Sequence, residues 1–195
     1  MRVSQLITKP AREPLTLAEA KLHCKVDDDQ TEADAEIASF IVRARRRAEN
    51  YTHRALITQT WESRFDYFSG WMLLPHGSLQ SVESVKYIDS NGAEQTVAAS
   101  VYEVDTFSPL GGVYLGYSQT WPSPRVEPQA VRIRFVAGYG AYGSDVPEEI
   151  RGAMLLMIGD MNENKETGGV GTVAFEYKSS IMIESMLGPY RIAMP

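Results

Sequence analysis

The chain has 195 residues, of which 44% are hydrophobic and 23% charged, so it can bury an ordinary globular core and is not a disordered polymer. Its formal net charge of −6 and pI near 5.1 exclude a tight, non-specific grip on nucleic acid, which needs clustered Lys and Arg; they do not exclude lying close to DNA. Cys24 is the only cysteine, which rules out an intrachain disulfide and a cysteine zinc cluster and favours assembly in a reducing cytoplasm. The first residues lack the apolar run of a signal peptide, and no stretch approaches a membrane span, so a soluble protein is expected.

In chain order, the first helical signal is Thr16-Leu17-Ala18-Glu19, a capping box after Pro14, opening a short helix that ends near residues 23–26. The acidic run Asp27-Asp28-Asp29 follows. Read as an EF-hand from Asp27, it would need Gly at position six and Glu at position twelve, where Glu32 and Ala38 stand. It is therefore expected to be an acidic loop before a helix.

Residues 32–51 carry the clearest helix. Ala33, Ile37, Phe40, Ile41, Ala44, Ala48 and Tyr51 form one stripe. Acidic residues precede it, and Arg43, Arg45, Arg46 and Arg47 lie toward its end, as the helix dipole favours. Arg43 and Arg46 face away from the stripe, whereas Arg45 and Arg47 flank it. A solvated face explains such a run; an intersubunit ion-pair strip is the functional alternative.

From residue 57 to 137 the texture is β. Period-two alternation marks residues 58–65, a second run covers 82–88, and Asn91-Gly92 signals a hairpin. Residues 101–106, 112–117 and 131–137 complete the strands. In the last, Val131, Ile133 and Phe135 alternate with Arg132 and Arg134. The proline-rich stretch 121–128 cannot be a central strand.

Pro147, Glu148 and Glu149 open another helix, whose core face is Ile150, Ala153, Met154, Met157, Ile158 and Met161. Leu155 and Leu156 fall on its other side. A helix apolar all round is buried all round, and a neighbouring subunit is a plausible cover for that second face. Gly168, Gly169 and Gly171 mark a flexible connection. A short strand or extended arm over 173–177 and a short helix over 179–187 follow, stopped by Gly188-Pro189.

The expected fold class is α+β: a small helical bundle built from both chain ends with an inserted antiparallel β-rich domain. The domain expectation is a helical base from 1–56 and 138–195 around a β insertion at 57–137.

Three enzyme-like signals fail on context. Gly138-Tyr139-Gly140-Ala141-Tyr142-Gly143 matches G-x-G-x-x-G literally, but follows hairpin-type β structure, and Asp160 and Glu163 would fall within or at the end of a helix. His23, His53 and His76 lack metal-ligand spacing. His23 and Cys24, adjacent on a helix, point about 100° apart. No catalytic residue, metal site or cofactor is assigned, and the protein is not expected to be an enzyme.

Five segments, in order, carry a resemblance. They are Glu13-Pro14-Leu15-Thr16-Leu17-Ala18-Glu19-Ala20-Lys21, the stretch from Ala48-Glu49-Asn50-Tyr51 through Thr60-Trp61, Val131-Arg132-Ile133-Arg134-Phe135 through Gly138-Tyr139-Gly140, Val146-Pro147-Glu148-Glu149-Ile150-Arg151, and Leu187-Gly188-Pro189-Tyr190-Arg191. Together they resemble the head–tail connector, or head-completion adaptor, family of tailed phages, in a branch with a β-rich insertion.

The resemblance implies a structural adaptor in the virion neck. It would form a homo-oligomeric ring, a dodecamer, docked on the portal protein, and would extend the channel for passing double-stranded DNA without sequence-specific binding. It would offer a platform to a stopper or tail-completion protein. The C-terminal segment 178–195 is the implied portal grip, with Met182, Met186, Leu187, Tyr190 and Arg191 as contacts; methionines suit a surface that must adapt. Arg43, Arg46, Leu155 and Leu156 are the expected intersubunit residues. A terminal helix packed on its own core is the plain alternative for the C-terminal segment. The competing function is a β-rich binding or adhesion module of a virion using Trp71, Trp121, Tyr139 and Tyr142.

Overall fold

The computed structural model describes residues 2–164 and 173–193, and the chain divides into two units of similar size. One comprises residues 1–11 and 58–139, the other 12–57 and 140–195. The glycine cluster Gly168, Gly169 and Gly171, with Met194 and Pro195 at the end of the C-terminal segment, lies outside the described residues.

The first unit is β. Strands β1 (Arg2–Thr8), β2 (Gln59–Phe65), β8 (Val131–Ala137), β4 (Leu79–Ile88) and β5 (Glu94–Thr96) form an antiparallel sheet in the order β1-β2-β8-β4-β5. Strands β3 (Trp71–Leu73), β7 (Gly112–Leu115) and β6 (Tyr102–Asp105) form a smaller sheet, β3-β7-β6. Central strand β8 shows the expected alternation: Val131, Ile133, Phe135 and Ala137 are buried, while Arg132 and Arg134 point to the other face. The Asn91-Gly92 hairpin joins β4 to β5, and only Gly92 uses positive φ (+83°). At Gly111 a Cβ would fall 2.6 Å from the Leu79 side chain, so no larger residue fits there without displacing Leu79.

The expected place of the N-terminus in the helical base is corrected. Residues 2–8 form β1, paired antiparallel with β2, because Arg2–Thr8 is an uninterrupted β-competent run that ends before Lys9-Pro10. β3 was also unmarked in the sequence: three residues are too few for a period to show.

The second unit is helical: α1 (Leu17–His23), α2 (Asp34–Thr52), α3 (Glu148–Glu163) and α4 (Val173–Leu187). The Thr16–Glu19 capping box forms as expected, with Glu19 N donating to Thr16 Oγ1 (3.2 Å) and Thr16 N to Glu19 Oε2 (2.7 Å). α2 buries Ile37, Phe40, Ile41, Ala44 and Ala48 and ends at His53, whose φ of 56° is a left-handed cap. α3 buries Ile150, Ala153, Met154, Met157 and Ile158. The extended arm expected at 173–177 is corrected: Val173–Leu187 is one helix. Val173 to Tyr177 suits a strand by residue type, so type alone misled.

Candidate functional site

The C-terminal segment meets the rest of its unit through specific contacts. Leu187 is 1% exposed and Ile183 and Ile192 are buried, so these three anchor the segment in the helical core. Leu187 is therefore a packing residue of its own unit. A Cβ on Gly152 would lie 2.8 Å from Met186 Cε, which places the half-buried Met186 against α3. Tyr190 Oη donates to Glu149 Oε2 (2.7 Å), and Arg54 Nε donates to Tyr190 O (2.7 Å). The Arg191 guanidinium sits 5.3 Å from the Tyr51 ring centroid while remaining exposed. Met182 (55% exposed) and its neighbour Ile181 (51%) point to solvent. Of the five expected contacts, Met182 and Arg191 present open surface, and Ile181, which was not among them, is exposed beside Met182.

The expected intersubunit residues separate similarly. Arg43 and Arg46 are exposed, Arg43 lying over the Phe40 ring at 5.2 Å. Leu155 and Leu156 are half-buried, an apolar remainder on α3 opposite its core face. Arg45 behaves differently. It is 7% exposed and holds Glu13 through Nε (2.7 Å) and Glu49 through Nη1 (2.7 Å), closing the segment before α1 onto α2. Its place at the edge of the apolar stripe did not mark it, since Arg47 flanks the same stripe and is exposed.

The acidic loop encloses a cation from the chain itself. Lys21 is 3% exposed, and its Nζ donates to Asp28 O (3.0 Å), Gln30 O (3.1 Å) and Asp34 Oδ1 (2.8 Å). Backbone carbonyls and a carboxylate thus surround an ammonium where the sequence invited a calcium reading. Among the described residues, no three His, Cys, Asp or Glu stand together as a metal site.

The glycine turn closes on itself in the same way. Tyr142 N donates to Asp145 Oδ2 (2.9 Å), and a Cβ on Gly140 would lie 2.1 Å from that oxygen. A Cβ on Gly143 would lie 2.3 Å from Pro14 O. Close approach of a carboxylate and of backbone accounts for these two glycines. Among the described helices none is long and apolar enough to cross a membrane.

The β unit carries exposed aromatics and one charged pocket. Trp71 (54% exposed), Phe107 and Tyr117 are open to solvent, whereas Trp121 stacks on Phe68 at 4.6 Å and donates to Ser69 O. Trp71, Trp121 and Tyr139 belong to this unit and Tyr142 to the helical one, so the four expected aromatics are divided. On the polar face of the five-stranded sheet, Glu62, Arg64, Ser84, Lys86, Glu94, Arg132 and Arg134 line a pocket of about 210 Å3. Burial opposes ionisation of Glu62, but hydrogen bonds from Arg64 and Arg134 outweigh it and lower its pKa. Hydrogen bonding from Lys86 lowers that of Glu94. Sequence alternation had already put Arg132 and Arg134 on one face; their cross-strand partners required the register.

Comparison with known proteins fits this architecture. Residues 14–110 match the family model of the phage gp6-like head-tail connector protein. No curated protein matches the chain in sequence. Among solved structures, a chain in the neck of an empty GTA particle, computed with C6 symmetry, superposes with a TM-score of 0.81 at 20% identity, covering 99% of this chain and 97% of that one. A chain in the virion of a native gene transfer agent (GTA) particle gives 0.78 at 20% identity, covering 98% and 96%. A chain in the neck of a native GTA particle, computed with C12 symmetry, gives 0.77 at 20% identity, covering 99% and 97%. The α+β fold of this chain is thus the fold of those neck proteins, and its segment 14–110 carries the pattern of the phage gp6-like head-tail connector family, the family that this chain resembles.

Proposed function

We propose that this chain is a structural adaptor subunit of a phage-type head–tail neck and has no enzymatic role. The observation that carries the reading is the likeness of nearly the whole chain to neck proteins, joined to a connector-family segment in the expected place. The necks of the similar structures, computed with C6 and C12 symmetry, support a cyclic ring of this chain resident in the virion neck. The proposed ring is a dodecamer assembled in the host cytoplasm. The half-buried Leu155 and Leu156, with Arg43 and Arg46 exposed on α2, are the surfaces proposed for contact between neighbouring copies.

The ring would dock on a portal through the C-terminal segment. Met182, Ile181 and Arg191 make the contact, Met186 and Tyr190 border it, and Leu187 holds the segment in its own unit. The exposed Trp71, Phe107 and Tyr117 of the β unit suit a platform for a stopper or tail-completion protein, because exposed aromatics are favoured protein-contact residues. Double-stranded DNA would pass through the ring without sequence-specific contacts, in keeping with the net charge of −6.

Electron microscopy of particles lacking this chain tests the proposal. Heads filled with DNA but failing to retain it or to join tails are expected; normal tail attachment would defeat the reading. A Met182→Asp, Ile181→Asp double variant should keep its fold and lose association with purified portal rings.

A further inference from the structure

The polar face of the five-stranded sheet contains an arrangement that a purely structural sheet avoids. In register, Arg64 of β2 stands directly opposite Arg132 of β8, and Arg132 directly opposite Lys86 of β4. Three cations thus lie in one row across three adjacent strands. Strands are spaced about 4.8 Å apart, and like charges directly opposite one another are destabilising. Arg134, one pleat along β8, adds a fourth cation to the same pocket.

Two carboxylates answer these four cations. Glu62 accepts from Arg64 (2.8 Å) and Arg134 (3.1 Å), and Glu94 from Lys86 (2.8 Å) and Arg132 (3.0 Å), so each already serves two partners. The pocket keeps two positive charges in excess within a chain whose net charge is −6. Arg132 Nε is buried and has no hydrogen-bond partner. A buried donor left unmade is costly, and here it belongs to the middle cation of the row. At about 210 Å3 the pocket is smaller than the roughly 300–1,000 Å3 clefts that hold drug-sized molecules, so it suits a small ion.

We infer that this pocket binds a phosphate-class oxyanion between Arg64, Arg132 and Lys86, with Arg132 as its central ligand. Hydrogen phosphate balances the excess with two negative charges and a phosphodiester balances half of it with one, and the tetrahedral oxygens of both match the forked donors of arginine. The group is either free phosphate or a phosphodiester of DNA. The inference rests on the strand register and the pocket, not on the neck assignment, and stands or falls separately from it.

The test follows thermal unfolding of the full chain as inorganic phosphate replaces chloride at constant ionic strength, together with the arginine Nε–H NMR signals. A saturable rise in Tm and a shift of the Arg132 signal are expected. Arg132→Gln should weaken phosphate binding by about tenfold or more, as loss of one charge-assisted hydrogen bond implies. Arg64→Gln provides the same readout should the first variant fail to fold, and Arg47→Gln, at an exposed position in the other unit, should leave binding unchanged. A short DNA duplex that displaces phosphate identifies the phosphodiester as the source; a duplex that does not identifies free phosphate. No saturable response to either probe, or a phosphate response unaltered in both pocket variants, overturns the site.

Discussion

The two units handle positive charge in opposite ways. In the helical unit the buried Arg45 and Lys21 are both answered within the chain: Arg45 by Glu13 and Glu49, Lys21 by Asp34 and two backbone carbonyls. On the sheet of the β unit, four cations share two carboxylates and three of the cations stand side by side. The first pattern is closed and holds the fold together. The second is open, and its excess charge is available to something outside the chain. Burial of a cation is therefore no guide to function here; the balance of its partners is.

The largest expected effect comes from breaking a closed cluster. Arg45→Met leaves Glu13 and Glu49 without their shared partner, and removing one member of a buried pair costs about 3–5 kcal/mol. Because Glu13 keeps some solvent contact, the lower end, about 3 kcal/mol, is expected in urea unfolding. An unchanged midpoint would mean that the cluster contributes nothing to stability. Lys21→Met should cost about 2 kcal/mol by stranding the carbonyls of Asp28 and Gln30. Addition of calcium should not restore that loss; recovery with calcium would revive the metal reading of the loop.

A steric change without charge comes next. Gly143→Ala places a methyl 2.3 Å from a backbone oxygen, so the chain must shift, at about 1–3 kcal/mol, readable as a lower Tm. The smallest effect is titration of the open cluster. Glu62 and Glu94 have folded-state pKa values below the ordinary carboxylate value, so their contribution is fully present above that value. It falls away as pH drops through the depressed folded-state values. Glu62→Gln should flatten that acid limb slightly, and an identical limb would place the acid sensitivity elsewhere.

How much of this was legible differs by element. The α1 capping box, the α2 stripe and the core face of α3 were readable because each is a local pattern that tertiary packing then used, with Ala33, Tyr51 and Met161 at the ends only half-buried. β1 was missed because an N-terminal run before helices looks like part of a helical base; only its pairing with β2 reveals it. In the C-terminal segment, Met182 and Arg191 of the expected contacts lie exposed, whereas Leu187, with the same apolar signal as Met182, is buried. Helical spacing states which residues share a face and leaves open what covers that face.

By itself the sequence determined the α+β class, the failure of the glycine motif and the acidic run to meet their chemical requirements, and the ordered connector-type segments. Those follow from period, spacing and residue type, which are one-dimensional quantities. Tertiary structure alone decided that Lys21 fills the acidic loop, that Arg45 is interior, and that Arg64, Arg132 and Lys86 form one row. The physical reason is register. A one-residue slip in either strand pairing would send these charges to opposite faces, and nothing local in β2, β4 or β8 states which residues will meet.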